Sequence, residues 1–119
     1  ITGYSDGRDK TNIDDFGAGL EFITKLRPRR FNWDVRDLYT EAGIDRDGSL
    51  MAPQIEVGFV AQEVKEAAED TGYDWAGFTD EGNPNRMAYT PGKFIPAMVN
   101  AIKELAARNA VLEAAVLRR

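Results

Sequence analysis

From Ile95 to Val116, residues recur at alternating intervals of three and four: Ile95, Met98, Ile102, Leu105, Asn109, Leu112 and Val116. Only an α-helix with a heptad seam presents that spacing on one side, with Ile95, Ile102, Asn109 and Val116 at a and Met98, Leu105 and Leu112 at d. Asn109 is the polar member of an apolar row, a substitution that fixes register between partner helices. The spacing therefore predicts a C-terminal coiled-coil helix over residues 93–119, with Arg108 at g and Glu113 at the following e placed to pair between helices. β-branched residues at a with leucine at d favour two strands, whereas Val99 and Ala106 at e and Ala101 at g widen the apolar face towards a larger bundle. The seam leaves the number open. Pro96 requires that the helix begin near Ile95 or kink in its first turn.

Ahead of the helix the patterns are shorter. Residues 1–12 carry Gly3 and Gly7 among polar residues and read as an extended lead-in strand and turn. Leu20, Ile23 and Leu26 have helical spacing that Pro28 stops, predicting a short helix over 18–26. Phe31, Trp33 and Val35 alternate with polar residues, as in a half-buried strand. Residues 41–54, with Gly43, Gly48 and Pro53, read as a loop or the tip of a projecting hairpin. A strand over 55–60 precedes a helix over Gln62–Asp70, with Val64, Ala67 and Ala68 facing inward and Gly72 ending it. Residues 73–90 form a second hairpin with its turn at Glu81-Gly82-Asn83-Pro84. The fold class expected is α+β: short helices and β-hairpins, with a long C-terminal helix.

Composition removes whole classes of chemistry. The 119 residues contain no cysteine and no histidine. Disulfides, thiolate zinc sites and histidine bases are thus excluded, and no metal or cofactor is expected. The net charge of -5 opposes nucleic-acid binding. The one basic cluster, Lys25, Arg27, Arg29 and Arg30, is broken by Pro28 and reads as a solvated turn. No apolar run is long enough for a membrane span and no signal peptide is visible, so neither nucleic acid nor membrane is an expected partner. A start at Ile1 reads as a piece of a longer chain. Asp45-Arg46-Asp47-Gly48-Ser49 has its glycine two places too early for a calcium loop. Asp15-Phe16-Gly17 lacks the companion motifs of a kinase.

With histidine absent, Ser5 and Lys10 are the available nucleophile–base pair, five residues apart around Gly7. Taken alone, Ser-Asp-Gly is more often a turn or a cap. Gln62 and Glu63 stand at a helix start, where polar side chains commonly bond the backbone.

The run Ser5-Asp6-x-Arg8-x-Lys10-x-Asn12-Ile13 resembles the opening motif of the intramolecular chaperone auto-processing domain that ends phage endosialidases, tailspikes and tail fibres; a related domain occurs in myelin regulatory factor. Leu26-x-Pro28-x-x-Phe31-x-Trp33, Gly58-Phe59-Val60-Ala61-Gln62-Glu63-Val64, Tyr89 and Ala101-Ile102-Lys103-Glu104-Leu105 resemble its later blocks in order. The resemblance implies a single-turnover serine peptidase that cuts its own chain, with Ser5 as nucleophile, Lys10 as general base and Tyr4–Ser5 as the bond cut. It also implies a homotrimer, and an upstream fibre or tailspike domain as the client. Residues 1–4 would then end the upstream segment, 5–92 form the auto-processing domain and 93–119 the trimeric coiled coil. The expected setting is a virion tail-fibre precursor assembled in the host cytoplasm, the chaperone leaving after cleavage. Gly7, Arg8, Asn12, Gln62 and Glu63 are candidates for support or for the oxyanion hole.

Asp9 stands where the family commonly has an apolar residue; in an extended segment its side chain would point away from Lys10. A base must be neutral, and bringing a lysine from ~10.4 to ~7.5 takes about 4 kcal/mol, which burial supplies and Arg8 would assist. Loops near 39–54 and 73–88 are expected to grip the preceding domain. The rival reading is a non-enzymatic trimerisation or receptor-binding tip in which Ser5 and Lys10 are turn residues.

Overall fold

The computed structural model describes residues 3–73, 79–83 and 85–118. Residues 1–2, 74–78, 84 and 119, which the lead-in, hairpin and helix expected from the sequence include, lie outside them. After a turn of 3-10 helix at Gly7–Asp9, the chain forms helix α1 (Leu20–Lys25), strand β1 (Arg29–Asn32), helix α2 (Arg36–Ala42), strand β2 (Ile55–Gly58) and helix α3 (Ala61–Asp70). Strands β3 (Thr79–Asn83) and β4 (Arg86–Tyr89) then lead through a second 3-10 turn, Pro91–Lys93, into helix α4 (Phe94–Leu117). Both sheets are antiparallel pairs: β1 with β2, Arg29 opposite Gly58 and Asn32 opposite Ile55; and β3 with β4, with an irregularity between Asp80 and Asn83. Mixed helix and strand with a long last helix is the architecture that the patterns predicted.

The core lies where α1, α3 and the first half of α4 meet. Ala18, Phe22, Val64, Ala67, Ala68, Phe94 and Ala97 are buried there. Alanines on the facing surfaces let the backbones approach, and aromatic rings fill the remaining space. Phe94 stacks on Tyr89 at 5.7 Å and meets Phe59 edge-on at 5.3 Å. Gly19 permits the closest approach, since a Cβ there would stand 2.3 Å from a carboxylate oxygen of Glu104. α3 ends as expected, with Gly72 in the left-handed region at φ 79°.

Four local expectations change. No strand forms among residues 3–12; the segment is a 3-10 turn between extended flanks. The region expected as a loop from residue 39 opens within α2, a seven-residue helix held by the buried Tyr39, whose hydroxyl donates to Asp34 and accepts from the Leu50 amide. Because β1 pairs with β2, residues 33–54 are the excursion at the tip of that hairpin. Strand β2 stops at Gly58, and its Ile55 and Val57 face outward, 56% and 80% exposed. Trp33 likewise stays more than half exposed and packs edge-on against Phe31.

Helix α4 begins one residue before Ile95. Pro96 falls in its first turn, where the N–H groups have no intrahelical acceptor, so no kink is needed. The face buried in the domain is Phe94, Ala97 and Ala101, not the heptad row. Ile95, Met98, Ile102, Leu105, Leu112 and Val116 are all 42% exposed or more. Beyond Glu104 every described residue of α4 is exposed, so about 20 Å of helix projects from the body. The radius of gyration, 19.7 Å, reflects that projection, since a compact chain of this length has about 13.5 Å.

Candidate active site

The turn that carries Ser5 and Lys10 is built locally. Asp6 is its N-cap: the carboxylate accepts from the Arg8 amide at 2.9 Å and from the Arg8 guanidinium at 2.8 Å. The guanidinium holds the Asp6 carboxyl below the usual carboxylate range, and Asp6 in turn raises Arg8. The Asp9 amide bonds to the Asp6 carbonyl and the Lys10 amide to the Gly7 carbonyl, closing the turn. Lys10 then returns to extended geometry at φ -120°, ψ 150°. The reversal brings its side chain back across the turn, and Lys10 Nζ donates to Ser5 Oγ at 2.6 Å. On the neighbouring rung the Tyr4 hydroxyl donates to the Asp9 carboxylate. That bond stabilises the protonated phenol and raises Tyr4 above the ordinary tyrosine value.

Asn12 is the one described non-glycine residue in the left-handed region, at φ 52°. Asparagine tolerates that conformation better than most side chains. It turns the chain between Lys10 and the stretch leading to the core. Residues 3–15 are exposed throughout except for half-buried Asp6. The domain grips the chain only from Phe16 onward. Asn100 on α4 donates to the carbonyls of Phe16 and Ala18, both at 2.8 Å, Glu104 accepts the Leu20 amide, and the Tyr73 hydroxyl donates to the Gly17 carbonyl at 2.8 Å.

The remaining candidates are placed elsewhere. The Arg8 guanidinium is engaged by Asp6 rather than directed at Lys10. Gln62 borders a groove with Trp33, Arg36, Asp37 and Arg86. Glu63 does not cap its helix. Its carboxylate receives two bonds from Arg29, at 2.5 and 2.8 Å, with Arg27 at 3.7 Å, and Arg29 holds its carboxyl below the usual range. Neither Gln62 nor Glu63 shares a hydrogen bond with Ser5 or Lys10 among the described residues. Among the turn amides, those of Arg8, Asp9 and Lys10 already have acceptors, which leaves the Gly7 N–H as the donor of this turn available to a substrate oxygen. The described residues contain no cluster of metal-ligating side chains and no helix long and apolar enough to cross a membrane.

Sequence reading missed the Tyr4–Asp9 rung and the Asn100 clip. The first follows from the Ser5–Lys10 spacing, since both pairs bridge five residues across one turn. The second left a trace in two polar residues, Asn100 and Glu104, four apart and away from the seam.

A family model described as chaperone of endosialidase, a peptidase family, matches residues 5–73, more than half of the chain, and opens on Ser5. The chain belongs to the chaperone-of-endosialidase family. Membership supports an intramolecular chaperone role, a relationship to serine peptidases and association with an upstream domain. The matched stretch runs from the Ser5–Lys10 turn through α3; Tyr89 and the block on α4 lie beyond it. Neither the curated proteins nor the solved structures gave a match.

Proposed function

We propose that this domain is the intramolecular chaperone of a phage tailspike or tail-fibre protein. It associates as a homotrimer through α4, assists folding of the upstream domain, and then releases itself by cutting its own chain between Tyr4 and Ser5. The carrying observation is the 2.6 Å contact between Lys10 Nζ and Ser5 Oγ, in a family of peptidases and in a chain without histidine.

The chemistry follows from the tether. Ser5 Oγ is three bonds from its own amide nitrogen and needs no encounter with the Tyr4 carbonyl; such pre-orientation replaces several kcal/mol of barrier. In its neutral form the Lys10 amine accepts the hydroxyl proton, reversing the direction of the present bond. The Oγ–C bond forms, the Tyr4–Ser5 C–N bond breaks, and the proton passes from Lys10 to the departing Ser5 amine. Water then hydrolyses the ester, leaving a carboxylate on Tyr4 and restoring the Ser5 hydroxyl. The Gly7 amide is the turn's candidate for holding the oxyanion.

Both side chains are exposed in the single protomer. The enclosure that a lysine base requires is therefore assigned to the oligomer, and assembly licenses cleavage. The uncovered seam on α4 supports that assignment. Its six apolar members are about half exposed, so each gains about 1 kcal/mol on full burial, and the projecting segment is of marginal length for a lone helix. Three joined protomers hold three upstream chains in register, which helps most where the client's contacts are non-local. The excursion at 33–54 and the β3–β4 hairpin are the elements assigned to grip the client. Cutting before Ser5 then makes assembly hard to reverse, because clamp and product are no longer one chain.

A reporter domain fused ahead of Ile1 tests the reading. Intact mass should show a fragment beginning at Ser5, lost in Ser5→Ala and Lys10→Met. Ile102→Asp should shift the chain from trimer to monomer in light scattering and stop the cut. Wild-type cutting by Ser5→Ala would refute the peptidase and leave a non-enzymatic clamp or receptor-binding tip. Full-rate cutting by a monomer would refute the coupling to assembly.

A further inference from the structure

We propose that Asp9 is a positioning and specificity residue for the bond to be cut: its carboxylate takes the Tyr4 hydroxyl and so fixes the acyl side of the Tyr4–Ser5 peptide against the Ser5–Lys10 pair. This inference rests on the self-cleavage reading of that pair.

The two contacts are successive rungs of one ladder. Tyr4 reaches Asp9 and Ser5 reaches Lys10, each across five residues, and both close over the same Gly7–Asp9 turn. Asp6 staples that turn from below through the Arg8 amide and guanidinium. The 3-10 geometry matters here. In an extended segment Asp9 and Lys10 would project to opposite sides; the last residue of the turn instead swings its carboxylate back towards residue 4. The scissile peptide lies between the two rungs. Tyr4 is 82% exposed, and among the described residues the Asp9 carboxylate is its only hydrogen-bond partner. Without that tie the exposed Tyr4 samples more of its allowed backbone conformations, and the carbonyl spends less time oriented for attack by Ser5 Oγ. The tie also directs the carboxylate beside Lys10 to a neutral hydroxyl rather than to the amine. Specificity follows from reach and chemistry: residue 4 needs a hydroxyl donor at the end of an aromatic ring.

The test is a double-mutant cycle on the reporter-fused chain, reading the first-order rate of self-cleavage. Tyr4→Phe should slow the cut about fivefold, as expected for one lost hydrogen bond. Asp9→Leu should slow it by a similar factor, and Asp9→Glu should recover part of the loss. The pair Tyr4→Phe with Asp9→Leu should be no slower than the worse single variant. Wild-type rates in both single variants, or losses that multiply in the double variant, would overturn the assignment. If Ser5→Ala abolishes cutting while the rung variants are indifferent, Asp9 alone loses its role. If the wild-type chain does not cut, the self-cleavage reading fails. The rung is then judged by ¹³C-tyrosine NMR titration of the Ser5→Ala chain. There Tyr4 should titrate above the ordinary tyrosine value and fall back in Asp9→Asn. No change between the two would overturn the pairing itself.

Discussion

Asn100 ties residues 16–18, which follow the Ser5–Lys10 turn, to the rest of the molecule, and replacing it tests how that segment is held. Its amide donates to the Phe16 and Ala18 carbonyls, each at 2.8 Å, from the face of α4 that packs on the domain. Each bond contributes about 1 kcal/mol net, so Asn100→Ala removes about 2 kcal/mol and regains about 0.6 kcal/mol of helix propensity. The expected loss is about 1.5 kcal/mol. Asn100→Asp removes the same donors and sets an anion against two carbonyl oxygens in a half-buried position, for an expected loss of about 3 kcal/mol. The introduced carboxyl should titrate above its ordinary value, because its ionised form is the destabilised one in the folded protein. The gap between the two variants should therefore be full at neutral pH, narrow as pH falls through the raised value, and be closed by pH ~4, where the unfolded chain's carboxyl also protonates. Urea unfolding followed by circular dichroism, at one protein concentration and at pH 7 and 4, gives these differences as shifts of midpoint at unchanged slope. Hydrogen exchange at Ala18 to Leu20 should accelerate in both variants. An Asn100→Asp chain within about 0.5 kcal/mol of wild type at pH 7 would refute the reasoning, since two well-formed bonds to backbone carbonyls would then carry nothing.

Two further outcomes follow from the same geometry. Glu63 has its carboxyl lowered by Arg29, so its contribution is present above the ordinary glutamate range near ~4.3 and is lost as pH falls through and below it. Acid unfolding of Glu63→Gln should start from lower stability at pH 7 and show a flatter limb below that range; an unchanged limb would count against the pairing. At Asn12, glycine should preserve the turn, whereas Asn12→Val places a β-branched residue at positive φ, costing about 1–2 kcal/mol there. The expected readout is self-cleavage, near normal in Asn12→Gly and slowed in Asn12→Val, and equal rates would remove the turn from the mechanism.

What was legible in the sequence is what depends on neighbours along the chain. The three-and-four spacing of α4, the Gly72 stop of α3 and the Ser-Asp-Gly turn are set by backbone geometry within a few residues; the second hairpin was also legible, but its turn was expected at residues 81–84 and residues 81–83 instead belong to strand β3. The Ser5–Lys10 contact belongs to this class, since the turn alone brings the two side chains together. The apolar members of the heptad row are exposed on the domain, as are Val99, Val111 and Leu117 outside it. Ala97 and Ala101 are the face the domain buries with Phe94, so Ala101, expected at g to widen the apolar face towards a larger bundle, packs on the domain instead. Helix α2 was not legible, because seven residues with Leu38 and Tyr39 as their apolar members carry too little period; Tyr39 is fixed from Asp34 and Leu50. Nor could sequence show that Glu63 answers Arg29, 34 positions away, or that Asn100 and Glu104 clip residues 16–20 across more than 80 positions. A polar group in a partly buried place must find a partner, and proximity decides which one. That proximity arises only once helices α1, α3 and α4 have closed on their alanines and on Phe22 and Phe94.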